Sequence, residues 1–226
     1  MARKPPQPGS KGTQTQAEIL SQAVKIASVE GLAGLTIGRL AEELKMSKSG
    51  LFAHFRSKQR LELATIDRAW EIFANEVLVP ANAAREGIEQ LWGLCDLWIR
   101  RIERHVFRGS YFFTGAFFEY AGRYGPVPNR VTKVVREWFG TLKDSVRAAQ
   151  KQDEIKPDAD AERISYQLDG LLVGAYWAHL QGGSEAFREA RSAILRLLAS
   201  EATEELPSGA FASLRAWRKF LAQRDQ

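Results

Sequence analysis

Apolar residues recur at intervals of three and four along most of the chain. Ile88, Leu91, Cys95, Trp98 and Ile102 are one such stripe, and beyond Pro80 no stretch alternates apolar and polar residues as a half-buried strand would. This spacing places the apolar side chains on one face of an α-helix. The chain is therefore predicted to be all-α.

Caps, glycines and prolines divide this pattern into successive helices. Gly31 ends the first in the manner of a C-cap, Pro80 ends the fourth, and Gly182 with Gly183 ends a late one. The predicted helices are 13–31, 36–44, 47–55, 57–80, 88–102, 111–120, 131–146, 157–181, 184–204 and 207–226.

The run from Leu35 to Phe55 is the most informative stretch. Thr36 is a suitable N-cap for a first helix with one apolar face, and a second helix opens at Ser47 after a short turn. Such a pair is typical of a helix-turn-helix whose second helix enters the major groove of DNA. An ordinary helical hairpin inside a core has the same spacing, so spacing alone leaves both interpretations open.

Positive charge is concentrated near the N-terminus. The net charge is +5, and residues 1–60 hold 10 Lys and Arg against 4 Asp and Glu, whereas the remaining 166 residues hold 22 against 23. A local excess of this kind is typical of a nucleic-acid surface. Residues 1–12 are rich in proline, glycine and basic residues, and we expect them to be a disordered basic tail.

The composition sets limits on the class of protein. A chain of 226 residues, 45% of them hydrophobic, can form one small and one larger domain. No apolar run approaches the ~20 residues of a membrane helix, and the N-terminus lacks a signal-peptide core. The single cysteine, Cys95, agrees with a reducing compartment. We therefore expect a cytoplasmic protein.

Residues that could carry catalysis are few and scattered. The histidines are His54, His105 and His179, and neither they nor the cysteine have metal-ligand spacing. The sequence has no P-loop, no dinucleotide-binding glycine motif and no nucleophile elbow. We expect no enzymatic activity, no metal and no cofactor.

Residues 14–61 closely resemble the DNA-binding domain of the TetR family of bacterial transcriptional regulators. The resemblance rests on the runs GLTI at 34–37 and SKSGLFAHFRSKQRL at 47–61. Two positions depart from the usual pattern, since Phe52 replaces a common tyrosine and Gly50 stands where Thr, Ser or Ala is frequent. Phe52 lacks the hydroxyl with which a tyrosine would bond to phosphate.

The resemblance implies a helical homodimer that binds a double-stranded DNA operator. We expect Lys48 and Ser49 to contact base edges, because they lie at the start of the reading helix. The other residues predicted at the DNA surface are Thr36, His54 and Lys58, which are expected at phosphates, together with Arg39, Lys45 and Phe52.

Aromatic residues concentrate in the middle of the chain, where residues 92–139 hold 12 of the 23. The aromatic side chains of the predicted helix 111–120 point in all directions around its axis, so we expect this helix to be enclosed by other parts of the protein. The cluster could be plain core packing or the wall of a small-molecule pocket with polar groups such as Arg101 and Asp96. The TetR resemblance implies a ligand-binding helical domain here. The candidate ligand residues are Trp92, Trp98, Tyr111, Phe113, Phe117, Glu119 and Trp138.

A ridge of small residues is the candidate dimer interface. Gly170, Gly174 and Ala178 are spaced four apart, so a second helix could approach them closely, and Leu171 and Ala175 flank them. The same residues could equally serve a contact within the chain.

The expected organisation has three parts. They are the basic tail at 1–12, a DNA-binding domain at 13–60 and a helical regulatory domain at 61–226. The expected function is that of a repressor released from its operator by a small apolar ligand. The alternative is a helix-turn-helix DNA-binding protein without such a ligand, controlled by a protein partner.

Overall fold

The computed structural model describes residues 11–104, 112–183 and 185–203, with side chains from residue 16 onward. Within these ranges the chain forms nine α-helices of at least eight residues and no strand, which confirms the all-α prediction. Residues 1–10 of the predicted tail and the predicted helix 207–226 lie outside the described residues, as does His105. The helices are α1 (Lys11–Glu30), α2 (Ile37–Leu44), α3 (Lys48–Phe55), α4 (Lys58–Phe73), α5 (Ile88–Glu103), α6 (Phe112–Tyr120), α7 (Pro126–Lys151), α8 (Ala161–Leu180) and α9 (Ala186–Glu201).

The helical path continues beyond α4 in a less regular form. A π-helical stretch, Ala74–Leu78, is followed by one short turn, Val79–Ala81. The path thus reaches the Pro80 at which the sequence predicted that it would end. Single π-turns of this kind occur mostly inside α-helices.

α1 begins at Lys11, so Lys11 and Gly12, which were predicted to belong to the disordered tail, are helical. Two other helix starts differ from the prediction by four residues or more. α8 begins at Ala161 rather than at Pro157, because Asp160 is its N-cap and accepts hydrogen bonds from two backbone N–H groups of the first turn at 2.9 and 3.2 Å. α7 begins at Pro126 rather than at Val131. Proline is favoured at the first position of a helix, since it has no N–H to leave unbonded there.

The chain divides into two compact units. The first comprises Met1–Ile72 and Phe107–Lys133, and the second comprises Phe73–Val106 and Val134–Gln226. In the first unit α6 contacts α1. The sequence predicted a different kind of boundary, between a DNA-binding part that ends at residue 60 and a regulatory part that begins at residue 61. That boundary stays a prediction. The core of the first unit includes the fully buried residues Val24, Leu35, Leu40, Leu51, Leu61 and Ile66.

The second unit is built on α5, α8 and α9, which contact one another. Twelve of the sixteen residues of α5 are buried, and these include Asp96 and Arg101. The start of α5 is held by Glu154, whose buried carboxylate accepts a hydrogen bond from the Ile88 N–H at 2.8 Å and pairs with Arg85. A carboxylate in this position satisfies a helix N–H that has no partner within the helix.

α6 is only partly enclosed. Phe112, Phe113 and Ala116 are buried, whereas Phe117 is 40% and Phe118 is 60% exposed. The expectation that this helix would be enclosed is therefore wrong. The described residues of the first unit pack against one side of α6, and apolar side chains on the other side remain at the surface, as is common in proteins.

Candidate nucleic-acid interface and ligand-binding residues

Both helices of the helix-turn-helix begin at residues that cap them. Thr36 Oγ1 accepts a hydrogen bond from the Arg39 N–H at 3.0 Å, and Ser47 Oγ accepts one from the Gly50 N–H at 3.1 Å. Lys45 ends α2 in the left-handed conformation with φ 53°. That conformation costs roughly 1–2 kcal/mol in a residue with a Cβ. Local residues therefore fix the turn between the two helices.

α3 has a buried side and an exposed side. Leu51 and Phe55 are buried in the first unit, at 0% and 2% exposure. Phe52 is 54% exposed. The predicted DNA-contacting residues of α3 are all exposed, and they are Lys48, Ser49, Phe52 and His54.

The start of α3 lies close to α2. A Cβ built on Gly38 would lie 3.5 Å from Lys48 Cε and 3.7 Å from Lys48 Nζ, so the lysine stem runs past this glycine. Ser49 Oγ donates a hydrogen bond to Ser47 Oγ at 3.3 Å. The ammonium group of Lys48 and the hydroxyl of Ser49 are therefore both presented at the N-terminal end of the exposed side.

Arg39 is already bound by two carboxylates. Its Nε donates to Glu30 Oε1 at 2.9 Å, and its Nη1 donates to Glu43 Oε2 at 2.8 Å. The hydrogen bond to Glu43, followed by the one to Glu30, raises the pKa of Arg39. A phosphate would have to compete with these acids for the guanidinium group. Thr36 and Lys45, at the two ends of α2, are exposed.

Lys58 lies at the start of α4 and is engaged within the first unit. Its Nζ donates to the carbonyl oxygen of Ala33, in the loop between α1 and α2, and lies 3.8 Å from Glu62 Oε1. Its side chain is nevertheless 48% exposed. The sequence pattern gave no sign of the contact with Ala33, which is 25 positions away.

Three of the predicted ligand residues are core residues of the second unit. Trp92 and Trp98, on α5, are each 1% exposed, and Trp138, on α7, is 4% exposed. Trp138 Nε1 donates to Asp169 Oδ1 at 3.0 Å, and its ring meets that of Phe73 edge-on with centroids 5.3 Å apart. Such contacts are those of a packed aromatic core.

Two groups of the second unit, the buried Cys95 and the half-buried Asp169, have raised pKa values. Burial raises the pKa of the Cys95 thiol, and the nearby negative charges of Asp96 and Asp169 raise it further. Burial also raises the pKa of Asp169, although the hydrogen bond from Trp138 opposes that change. In both groups the protein interior favours the protonated form.

Two other predicted ligand residues, Phe113 and Phe117, lie on α6 in the first unit. The Phe113 ring is buried and meets the Trp70 ring edge-on with centroids 6.0 Å apart. Phe117 is 40% exposed. Tyr111 lies outside the described residues.

Glu119, also predicted at the ligand, has both carboxylate oxygens engaged by the first unit. Its Oε2 accepts a hydrogen bond from the Leu32 N–H at 2.8 Å, and its Oε1 accepts one from the Ala33 N–H at 2.5 Å. Sequence reasoning missed this contact, which joins residues 86 and 87 positions apart.

The second unit contains a polar cleft of about 540 Å³. Asp96, at its base, accepts hydrogen bonds at 2.7 Å from Arg100 Nε and from Arg191 Nε, and Arg191 makes two more bonds to Glu103 at 2.7 and 2.8 Å. Asp96 and Arg191 are 95 positions apart, so no local signal could link them. The lining contains none of the seven predicted ligand residues, and it consists of Asp96, Arg100, Glu103, Arg188, Arg191, Ser192 and Leu195.

The predicted dimer ridge lies on the surface of α8. A Cβ at either of its glycines would meet no atom within 4 Å. Large apolar side chains lie beside the ridge, since Tyr166 is 70% and Trp177 is 46% exposed. Of the two flanking residues, Leu171 is half-buried and Ala175 is buried. The exposed ridge residues are Gly170, Gly174 and Ala178.

The described residues 11–104, 112–183 and 185–203 contain neither a metal-binding cluster nor a membrane-spanning helix. Within them no group of three or more His, Cys, Asp and Glu side chains could hold a metal ion. None of the helices in those ranges is long and apolar enough to cross a membrane.

Two family models match the sequence, one at each end of the described chain. The model for bacterial regulatory proteins of the tetR family matches residues 19–65, and the model for the tetracyclin repressor-like C-terminal domain matches residues 87–194. A comparison with curated proteins found no match.

Solved structures share the fold over most of the chain. A TetR transcriptional regulator from Chloroflexus aurantiacus is 23% identical with a TM-score of 0.77, over 85% of this chain and 98% of that one. A protein from Saccharomonospora viridis in complex with choline is 20% identical with a TM-score of 0.69, over 85% and 100%. AibR, in complex with isovaleryl coenzyme A and operator DNA, is 19% identical with a TM-score of 0.61, over 78% and 94%.

An N-terminal helix-turn-helix followed by a larger helical part defines the class as a DNA-binding transcription regulator. The two matched models together cover both parts of the chain. The protein belongs to the tetR family of bacterial regulatory proteins.

Proposed function

We propose that the protein is a dimeric repressor that leaves its operator when a small molecule binds. The observation that carries the DNA-reading part is the exposed side of α3, where Lys48, Ser49 and Phe52 lie together beyond a buried side formed by Leu51 and Phe55. A helix held in this way can enter a major groove without disturbing its own core.

The residues of this surface are assigned distinct roles. Lys48 and Ser49 contact base edges, because a lysine and a hydroxyl can both read them, and Phe52 offers an apolar contact to a thymine methyl group. Phosphates are contacted by Thr36, His54 and Lys58, with Arg39 and Lys45 nearby. DNA reading is assigned to residues 13–60 and regulation to residues 61–226, in the cytoplasm, where a bacterial chromosome is found.

A homodimer sets the spacing of the two reading helices. Successive major grooves on one side of a duplex are ~34–36 Å apart, so two copies must hold their α3 helices at that distance. The exposed ridge on α8, with Trp177 and Tyr166 beside it, supplies an apolar surface for a second copy. Leu171 and Ala175 support the ridge from the inner side.

The ligand is proposed to be a small molecule with an apolar part that contacts aromatic residues of the regulatory domain. Support comes from AibR and the Saccharomonospora viridis protein, which were solved with isovaleryl coenzyme A and with choline. The proposed contacts are those in the second unit, Trp92, Trp98 and Trp138.

A second candidate is a regulator of the same fold without a small-molecule ligand, controlled by a protein partner. The burial of Trp92, Trp98 and Trp138, at 4% exposure or less, favours this reading because side chains packed so closely serve as core. A ligand screen by thermal shift separates the two candidates. A compound that raises the Tm and weakens operator binding supports the repressor, whereas a screen without such a compound supports the second candidate.

The DNA-reading part is tested by selecting binding sites from a random duplex library and comparing variants on the selected site. Lys48→Ala should weaken the free energy of operator binding by ~1–3 kcal/mol and relax the sequence preference at one base pair. Lys151→Ala, on the exposed end of α7, removes the same charge and is the matched control. Equal losses of operator affinity in both variants, with an unchanged sequence preference, would contradict the assignment of Lys48.

The dimer is tested by Gly174→Leu, with sedimentation measured at sub-micromolar concentration. The bulky side chain should overpack the ridge, destabilise the dimer by ~1–3 kcal/mol and thereby favour the monomer. Ala193→Leu, at a half-buried position of α9, is the comparison for a general loss of stability. A Gly174→Leu protein that stays dimeric would remove this ridge from the interface.

A further inference from the structure

The C-terminal end of α6 holds the loop between α1 and α2. Glu119 accepts hydrogen bonds from two consecutive backbone N–H groups, those of Leu32 at 2.8 Å and Ala33 at 2.5 Å. Two consecutive N–H groups that converge on one acceptor form an anion-binding concavity, and bonds to an ionised acceptor are stronger than bonds to a neutral one. The carboxylate is therefore the preferred partner for this loop.

The shape of the loop requires such a partner. α1 ends at Glu30 and is followed by Gly31, which has φ 80°, and the next two N–H groups lie beyond the hydrogen-bonding pattern of the helix. A Cβ at Gly31 would lie 3.2 Å from Glu119 Oε2, so a side chain there would press on the carboxylate. Leu32 is buried, which anchors the other side of the loop.

A second set of contacts holds the same residue, Ala33, through its carbonyl group. Lys58 Nζ donates to the Ala33 carbonyl, and Glu62 Oε1 lies 3.8 Å from that ammonium. Tyr120, next to Glu119 on α6, donates its hydroxyl to Glu62 Oε1 at 2.9 Å. Ala33 is thus bonded through both its N–H and its C=O, to α6 and to α4.

The loop held in this way leads directly into the reading motif. Thr36, the N-cap of α2, follows Ala33 by three residues, and α2 in turn carries the turn that starts α3. A displacement of the loop would therefore shift both helices of the helix-turn-helix. We infer that Glu119 is a positioning residue for DNA binding, which fixes the α1–α2 loop and through it the reading helices, rather than a ligand contact.

This inference rests on the proposed DNA-reading function, and it is tested with Glu119→Ala and Glu119→Gln in the full chain. The probe is the duplex selected by the wild-type protein from the random library. Glu71→Gln is the matched control, because it removes the same charge from the first unit at an exposed i, i+3 ion pair with Arg68. Circular dichroism checks that each variant is folded.

Two readouts are measured on each variant: operator affinity over a range of salt concentrations, and amide hydrogen exchange of Leu32 and Ala33. Glu119→Ala should weaken operator binding about tenfold while leaving the salt slope unchanged, because no phosphate contact is lost. The amides of Leu32 and Ala33 should exchange about tenfold faster or more. Glu119→Gln should fall between wild type and Glu119→Ala, since its amide oxygen can accept but its NH2 group cannot. Glu71→Gln should match wild type in both readouts.

Three results would overturn the inference, and they are distinguishable. Unchanged exchange in Glu119→Ala would mean that the carboxylate does not hold the loop in solution. Faster exchange with wild-type operator affinity would make the contact structural only. A wild-type protein that selects no DNA sequence would overturn the proposed function itself, and the positioning role with it. If Glu119→Ala fails to fold, the same comparison is made between Glu119→Gln and Glu71→Gln.

Discussion

α3 and α5 place polar residues in opposite surroundings. α3 has eight residues, of which Leu51 and Phe55 are buried, and its polar side chains are exposed. α5 has sixteen residues, twelve of them buried, and Asp96 and Arg101 are among the buried ones. Arg101 Nε donates to Glu76 at 2.7 Å, and its guanidinium lies 5.9 Å from the centroid of the Phe73 ring.

The difference shows which polar groups remain available to a partner. A buried charge must be paired, so Asp96 and Arg101 are occupied by other residues of the protein. Lys48 and Ser49 on α3 face solvent and can exchange water for DNA. The residue type alone does not separate the two cases, because arginine and aspartate would suit a binding site equally well.

The largest expected effect is the loss of stability in Asp96→Ala. This change leaves Arg100 and Arg191 without the carboxylate that accepts from both, and breaking a buried pair costs ~3–5 kcal/mol. Urea unfolding followed by circular dichroism measures it. Glu103→Ala is the control, because the Glu103 side chain is 39% exposed, and loss of an exposed pair costs ~1 kcal/mol or less. Similar losses in both variants would show that burial does not distinguish these charges.

A smaller effect is expected at the start of α2. Thr36→Ala removes the hydroxyl that accepts from the Arg39 N–H, and such a cap contributes ~1 kcal/mol to stability. Thr36→Ser keeps the hydroxyl and should retain most of that stability. Both are measured by thermal unfolding, and a serine variant as unstable as the alanine variant would mean that the methyl group, not the cap, matters here.

Lys45→Gly is expected to raise the free energy of unfolding by a few tenths of a kcal/mol. Glycine adopts the left-handed conformation of this residue without strain, although its greater freedom in the unfolded chain offsets part of the benefit. Lys45→Ala keeps the Cβ and is the control, with no gain expected. The measurement is the urea midpoint of each variant, and a glycine variant less stable than the alanine variant would contradict the prediction.

The effect expected to be hardest to detect is a change in pH dependence at Asp169. Burial raises the pKa of Asp169 above its ordinary value of 3.8, so the folded state binds a proton more readily than the unfolded state. Stability should therefore fall as the pH rises from about 4 through the folded-state pKa. Asp169→Asn keeps an acceptor for Trp138 Nε1 and should remove this fall, making the variant the more stable one at neutral pH.

Thermal unfolding at several pH values checks this prediction, with Asp144→Asn as the control on an exposed side chain of α7. The two Tm curves of wild type and Asp169→Asn should converge below about pH 4, where the aspartate is protonated in both states. Curves that stay parallel throughout would show that Asp169 does not titrate differently on folding.

The sequence predicted those features that depend on neighbouring residues. Thr36 and Ser47 cap their helices as expected. The sequence predicts that α8 starts at Pro157, yet the carboxylate of Asp160 decides where the N–H groups are bonded.

The features that escaped prediction join residues far apart in the sequence. Glu119 bonds to Leu32 across 87 positions, and Asp96 bonds to Arg191 across 95. Helical periodicity reports only which residues share a face, not which distant group that face meets. For the same reason it could not show that Phe118, on an aromatic helix, would be 60% exposed.

The inaccessible thiol of Cys95 makes the chain convenient for site-directed labelling. It is the only cysteine, it is 0% exposed, and its burial suppresses the thiolate that reacts with maleimides. A cysteine introduced at the exposed Ala53 would therefore carry the only reactive sulfur in the folded protein. In a homodimer that single substitution creates one pair of spin labels on the two α3 helices. Their separation could then be followed by pulsed electron paramagnetic resonance without first removing a native thiol.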